Sequence, residues 1–221
     1  MQPAAQTPRS LVFGKGERSV IIGDSLTDCG RFEPAYAPLG LGYVRVVHDL
    51  LKACHPELGL TITNAGVSGD TIRSLRARWA RDVIAAKPDW VSIYIGINDV
   101  WRLFGDSTEE AVPVAEYESI YRDLLEETRG KTGAGLILMT PTLLEPDRDD
   151  PFRRGIDGHI EAVRRVAEEF QAIFVDLQRA FDAAMCAQPP EFWAEDRVHV
   201  GGPGHALIAR EWLREVGARA W

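Results

Sequence analysis

The sequence predicts an α/β protein: a parallel sheet covered by helices on both faces. Three observations predict it. Short β-branched apolar runs alternate with stretches of helical period, five strands in all. The third run, Trp90–Val91–Ser92–Ile93–Tyr94–Ile95, is apolar almost throughout, as a strand buried on both faces must be. The runs also give way to Gly, Asp, Asn or Pro, residues that turn a chain out of a strand.

Each element follows from its own residues. Residues 19–23 (Ser-Val-Ile-Ile-Gly) are short, β-branched and followed by Asp24, which marks a buried strand. Tyr43, Val46, Val47, Leu50, Leu51 and Cys54 then recur along one helix face. Residues 60–63 form a second short strand. Ile72, Leu75, Trp79, Val83 and Ala86 mark the next helix, stopped at Lys87–Pro88. The third strand covers 90–95. Tyr117, Ile120, Tyr121, Leu124, Leu125 and Thr128 give a third helix, and 136–139 a fourth strand closed by Thr140–Pro141. Ile156, Ile160, Val163, Ala167 and Phe170 give a fourth helix, and 172–175 the fifth strand. The stretch around Gln188–Pro189–Pro190 reads as irregular, and 205–216 as the last helix. No repeat or low-complexity linker divides the chain, so its 221 residues are expected to form one domain, 1–221.

Composition excludes several functions. The chain is 45% hydrophobic and 26% charged, as globular proteins are. A net charge of −8 disfavours a nucleic-acid partner, which wants a basic face. No apolar run approaches the ~18 residues of a membrane helix, so no membrane partner is expected. The start, Met1–Gln2–Pro3–Ala4–Ala5–Gln6–Thr7–Pro8–Arg9, lacks the basic and apolar regions of a secretory signal. Cys29, Cys54 and Cys186 are odd in number and widely spaced, with no CxxC and no Cys/His cluster. The expectation is a cytoplasmic protein without metal or cofactor. Gly14–Lys15–Gly16 and Gly201–Gly202–Pro203–Gly204 do not form a nucleotide fingerprint, which needs GxGxxG after a strand or a P-loop lysine followed by Ser/Thr.

In parallel sheets ligands bind beyond the carboxyl ends of the strands. There the chain carries Gly23–Asp24–Ser25–Leu26, then Asn64–Ala65–Gly66–Val67–Ser68–Gly69–Asp70–Thr71, then Gly96–Ile97–Asn98–Asp99, and near its end Asp196–Arg197–Val198–His199. Acyl transfer needs this set. Ser25 is a nucleophile once a base takes its proton, and His199 can be that base, oriented by Asp196. The backbone N–H groups of Ser25 and Gly69 and the Asn98 amide can hold an oxyanion. Asp176, just past the fifth strand, is a rival orienter for His199. Each residue alone has a plainer reading: Ser25 as a turn or cap, Asn98–Asp99 as a turn pair, Gly66 and Gly69 as loop glycines, Asp196 and His199 as a surface pair. Cys29 reads as a small packing residue, His205 as a helix start, and His48, His55 and His159 as helix-surface or turn positions. The ordered occurrence of the four segments at strand ends favours the chemistry.

The four segments resemble the sequence blocks of the SGNH hydrolase family, the GDSL-type esterases. The resemblance implies a three-layer α/β/α sandwich with a five-stranded parallel sheet of flavodoxin-like type. It also implies a Ser25–Asp196–His199 triad and an oxyanion hole of Ser25, Gly69 and Asn98. A narrower likeness, carried by the residues from Gly23 to Arg31, Lys87 to Ile93 and Gly96 to Arg102, is to the small intracellular acetylxylan esterases of that family. These imply an acetylated oligosaccharide as substrate and a homo-oligomer. Two departures are Val200, where the family has proline, and Trp193, three residues before Asp196 where related esterases place a tryptophan immediately before. Trp101, Trp193 and Arg102 are candidate sugar-binding residues, since aromatic faces suit sugar rings; core or interface packing is the alternative for the two tryptophans, and a bridge between subunits for Arg102. The alternative on the same scaffold is a general short-chain carboxylesterase, thioesterase or lysophospholipase, which calls for a longer apolar acyl groove.

Overall fold

A computed structural model describes residues 10–105 and 108–218. The stretch 1–9, inspected above for a signal, lies outside them. Five strands form one parallel sheet: β1 (Arg18–Gly23), β2 (Thr61–Gly66), β3 (Trp90–Tyr94), β4 (Gly135–Met139) and β5 (Ile173–Val175), in the order β2-β1-β3-β4-β5. Nine α-helical segments surround it among the described residues: α1 (Ser25–Asp28), α2 (Tyr43–Cys54), α3 (Ile72–Asp82), α4 (Ile97–Trp101), α5 (Val114–Thr132), α6 (Pro151–Glu169), α7 (Leu177–Met185), α8 (Pro190–Trp193) and α9 (Gly202–Glu215).

The two-residue period of a strand divides the core in two. Val20 and Ile22 of β1, with Val91 and Ile93 of β3, pack against α3, α5 and α6. Ile21 and Tyr94 face the other way, onto α2, α7 and α9. Ser92 sits fully buried on that second face, and the Trp212 indole N–H of α9 donates to its hydroxyl at 2.9 Å. A central strand thus carries a polar residue without an unsatisfied group.

The expected strands and long helices are present, with three differences. β2 runs through Asn64, Ala65 and Gly66, expected to lie beyond it, because these pair with Ile21, Ile22 and Gly23 of β1. The length of its partner sets where a strand ends. Helix α7 has no counterpart among the expected elements. Its apolar side is short, Leu177 and Phe181, and Asp176, weighed above as a catalytic acid, is its N-cap, accepting the Arg179 N–H at 3.2 Å. His159, expected at a helix surface, is buried, its ring nitrogens 3.0 and 3.1 Å from the Gly155 and Val112 carbonyls.

The chain winds from β1 outward to β2, then crosses back to β3 on the far side of β1. The carboxyl ends of β1 and β3 therefore flank the point where the winding reverses, which opens a crevice there.

Candidate active site

The site starts with how the chain leaves β1. A Cβ on Gly23 would lie 2.2 Å from the Tyr94 carbonyl oxygen and 2.5 Å from Thr27 Oγ1, so only glycine fits this strand end. Asp24 follows, and its carboxylate accepts the Leu26 N–H at 3.1 Å, which starts α1 with Ser25 in first position. Asp24 is buried. Burial pushes its carboxyl up to about 7, against the Leu26 N–H and with the help of Asp99 and Asp70.

His199 arrives from the other end of the chain, in the turn before α9. Val198 pins that turn by burial among Ile97, Leu143 and Phe152. The Leu144 N–H donates to the Arg197 carbonyl at 2.8 Å, and the Arg197 guanidinium holds Glu145 at 2.8 Å. Asp196 closes the turn on itself. Its Oδ1 accepts the backbone N–H groups of Val198 (3.0 Å) and His199 (2.7 Å), and its Oδ2 lies 2.6 Å from His199 Nδ1. Burial would raise this carboxyl, but the His199 ring and the two backbone donors outweigh it and hold it below the usual range. An ionised Asp196 fixes the proton on Nδ1 and leaves Nε2 as acceptor. Ser25 Oγ stands 2.9 Å from that Nε2. The predicted hydroxyl, imidazole and carboxylate thus form one hydrogen-bonded chain.

Beside Ser25 come the glycine and asparagine segments. Gly69 has φ +84°, a region that favours glycine. Asn98 lies in the first turn of α4 and donates one amide N–H to the Asp70 carbonyl at 3.0 Å. Its neighbour Asp99 is fully buried and accepts the Ile72 N–H at 3.0 Å, which ties α4 to the start of α3. Burial pushes the Asp99 carboxyl up to about 7. Among the described residues, no backbone oxygen outside the helices and strands takes up the N–H of Ser25 or of Gly69. Ser25, Gly69 and Asn98 all face one cleft.

A cleft of about 630 Å³ opens over these groups. Trp101 and Arg102 line it, the Trp101 ring 5.8 Å from the His199 imidazole between centroids. The third candidate sugar-binding residue is not brought there. Trp193 packs on Phe181 and Phe192, its indole N–H donating to the Gln188 carbonyl at 3.3 Å. It stands too early before Asp196 to share that turn. Asp176 is likewise engaged elsewhere, capping α7 and accepting Arg164 at 3.1 Å. Val200 lines the cleft and presses on Gly204, where a Cβ would come within 2.4 Å of it.

Sequence reasoning missed three contributors. His205, read as a helix start, lines the cleft; its Nδ1 accepts the Tyr43 N–H at 3.2 Å, and its Nε2 faces the Cys29 sulfur at 3.4 Å. Burial holds this imidazole down, to about 4, so it stays neutral. Cys29 lines the same wall. Arg78, on α3, reaches beneath the site. It bonds the Gly23 and Ala65 carbonyls at 3.1 and 2.7 Å and the Asp70 carboxylate at 2.7 Å. No sequence signal separates it from the other arginines of α3; only its place on the apolar side of that helix, three residues after Leu75, hints at burial.

Fold and site together define an ester hydrolase of the α/β/α class. The chain belongs to the GDSL-like lipase/acylhydrolase family, whose family model matches residues 21–207. It is 48% identical over 213 residues to an acetylxylan esterase from Geobacillus stearothermophilus, covering 94% of this chain and 97% of that one. The crystal structure of an acetylxylan esterase from that organism superposes with a TM-score of 0.90, at 47% identity over the same shares of the two chains. Structures of its catalytic mutants, with a serine, an aspartate or a histidine changed to alanine, match equally well. An alpha/beta hydrolase enzyme from the metagenome of Lake Arreo, Spain, is also similar, with a TM-score of 0.88 and 40% identity over 93% of this chain and 97% of that one.

Proposed function

We propose that this single hydrolase domain removes acetyl groups from acetylated xylo-oligosaccharides through an acyl-enzyme on Ser25. The observation that carries the reading is the unbroken chain from Ser25 Oγ through the His199 ring to Asp196, at 2.9 and 2.6 Å, in the wall of the cleft. Ser25 Oγ attacks the acetyl carbonyl carbon while His199 Nε2 takes its proton. Asp196 stabilises the imidazolium and does not itself take the proton. The oxyanion is received by the Ser25 and Gly69 N–H groups and the Asn98 amide. His199 then returns the proton to the leaving sugar oxygen. Water repeats the sequence on the acyl-enzyme and frees acetate.

Xylo-oligosaccharides as substrate rest on the likeness to acetylxylan esterases and on Trp101, whose ring forms a wall against which a sugar face can stack. The test is acetate release from acetylated xylo-oligosaccharides, set against p-nitrophenyl esters of rising acyl chain length. The sugar ester and the acetyl ester should be preferred, and Ser25→Ala should abolish turnover on both. A kcat/KM that climbs with chain length would instead mark a general esterase.

The same reading includes a homo-oligomer in a reducing, cytoplasmic setting. The homo-oligomer rests on the resemblance to the small acetylxylan esterases; Phe32, Leu41, Leu103 and Phe192, each at least half exposed, are candidate contact residues for it. The cysteines stand as thiols. Light scattering of the purified protein tests the first point.

A further inference from the structure

We infer that Arg102 is a positioning residue for the oxyanion donors, acting through the Gly69 peptide in addition to any contact with the sugar. The inference rests on the reading of Gly69 and Asn98 as oxyanion donors. Asn98 and Arg102 are four residues apart, so the end of α4 and the turn that follows it place them on one side. Both donate into consecutive carbonyls of the same loop: Arg102 Nη2–H to Gly69 at 3.3 Å and Asn98 Nδ2–H to Asp70 at 3.0 Å.

Both neighbours of Gly69 are fastened by their side chains. On one side of Gly69, Ser68 is fastened to Asp28 through its hydroxyl (2.7 Å) and its N–H (3.3 Å). On the other side, the Asp70 carboxylate is locked to Arg78 at 2.7 Å. Gly69 between them is half-buried, and a Cβ built on it would meet one atom within 4 Å, Arg102 Nη2 at 3.6 Å. Side-chain packing therefore does not hold this residue, and glycine has the widest backbone freedom of any. Its φ of +84° sets where its N–H points. The peptide after Gly69 is held at both ends: its Asp70 N–H donates to the Val67 carbonyl at 3.3 Å and its Gly69 carbonyl accepts Arg102, which together limit the φ and ψ joining this plane to the one that bears the Gly69 N–H. The guanidinium is itself steadied by Glu110, whose carboxylate lies 3.3 Å from Nε.

A contact that acts only on the sugar leaves a substrate without sugar unaffected; a hold on the oxyanion loop affects every ester. The experiment compares Arg102→Ala, Arg102→Lys and Asn98→Ala on p-nitrophenyl acetate and on an acetylated xylo-oligosaccharide, each at equal folded fraction by circular dichroism. Arg102→Ala should lower kcat by roughly tenfold or more on both esters, the size expected when a catalytic group is displaced by less than about 1 Å. KM for p-nitrophenyl acetate should change less than kcat. Arg102→Lys, which keeps one donor, should recover part of the loss. Combined with Asn98→Ala, the Arg102→Ala loss should be less than additive, since both act on one hole. An unchanged kcat on p-nitrophenyl acetate with a raised KM for the oligosaccharide overturns the positioning role and leaves a sugar contact. Full kcat in Asn98→Ala overturns the oxyanion reading beneath it, which makes the two failures distinguishable.

Discussion

At the scale of single residues, the site asks different things of its carboxylates, and their neighbours set which. Asp196 accepts three hydrogen bonds within its own turn and stays ionised beside His199. Asp176 has the same side chain at an equally suggestive strand end, yet it caps a helix and pairs with Arg164. Asp196→Asn should therefore lower kcat on the order of 10²–10⁴-fold by presenting the wrong partner to Nδ1. Asp176→Asn should leave kcat at the wild-type value, because asparagine caps as well as aspartate. Steady-state kinetics on p-nitrophenyl acetate check both; a larger loss at Asp176 would reassign the acid. Asn98→Ala should cost roughly 10²–10³ in kcat, the usual size for one oxyanion donor. Its KM should move less, since that bond strengthens mainly in the transition state. A loss confined to KM would make Asn98 a binding residue.

At the scale of elements, the loops of the site are held by buried arginines that cross between strands and helices. Arg78 joins the ends of β1 and β2 to Asp70 and also pairs with Asp82 at 2.8 Å. Its side chain is 9% exposed and that of Asp70 12%, so neither charge is relieved by water. Arg78→Met should lower unfolding stability by about 3–5 kcal/mol, the penalty of breaking a buried pair from one side. Urea denaturation measures it, and adding Asp70→Asn should restore part by removing the orphaned charge. A loss below about 1 kcal/mol in the single variant would show the cluster to be effectively solvated. Such tertiary contacts explain what the sequence could and could not reveal. The strands, the long helices and the hydrolytic segments were legible because each is written in contiguous residues: Val-Ile-Ile-Gly before Asp-Ser, or Asp and His three apart. Arg78 was not legible, since three of its partners lie at positions 23, 65 and 70 and meet it only once the sheet forms, and the fourth, Asp82, reads as an ordinary i,i+4 pair of one helix. Helix α7 was missed because nine residues with two buried apolar positions carry little period, and Asp176 read more naturally as an acid than as a cap. For Trp193 the sequence leaves cleft and packing open, because proximity to Asp196 along the chain does not fix proximity in space; α8 carries it onto Phe181, the packing alternative.

At the scale of the whole molecule, two sets of carboxyls pull stability in opposite directions with pH. Arginine partners hold one set down: the Arg81 guanidinium lowers Asp82, and at Asp182 burial is outweighed by Arg153 and Gln178. Such groups stabilise the fold above their unfolded pKa, near 4, and that contribution is lost as pH falls through the folded value. Burial pushes the other set up. Asp24 and Asp99 each reach about 7, so the native chain keeps their protons where the unfolded chain has released them. Their contribution is full below about pH 4 and is lost as pH rises through about 7. The two trends together place maximum stability in the mildly acidic range between them. Asp99 separates the trends experimentally. Its Oδ1 accepts the Ile72 N–H, a bond that the side-chain oxygen of asparagine can keep, so Asp99→Asn removes the ionisation and spares the link between α3 and α4. From pH 5 to pH 8 the variant's melting temperature should rise relative to that of the wild type. The gain across that range has an upper bound of a few kcal/mol, set by a shift of about three pKa units at ~1.4 kcal/mol each. Thermal unfolding of both proteins across pH 5–8 reads it directly. A melting difference that does not change with pH would mean that Asp99 holds no proton the unfolded chain lacks, and would remove it from the balance that sets the optimum.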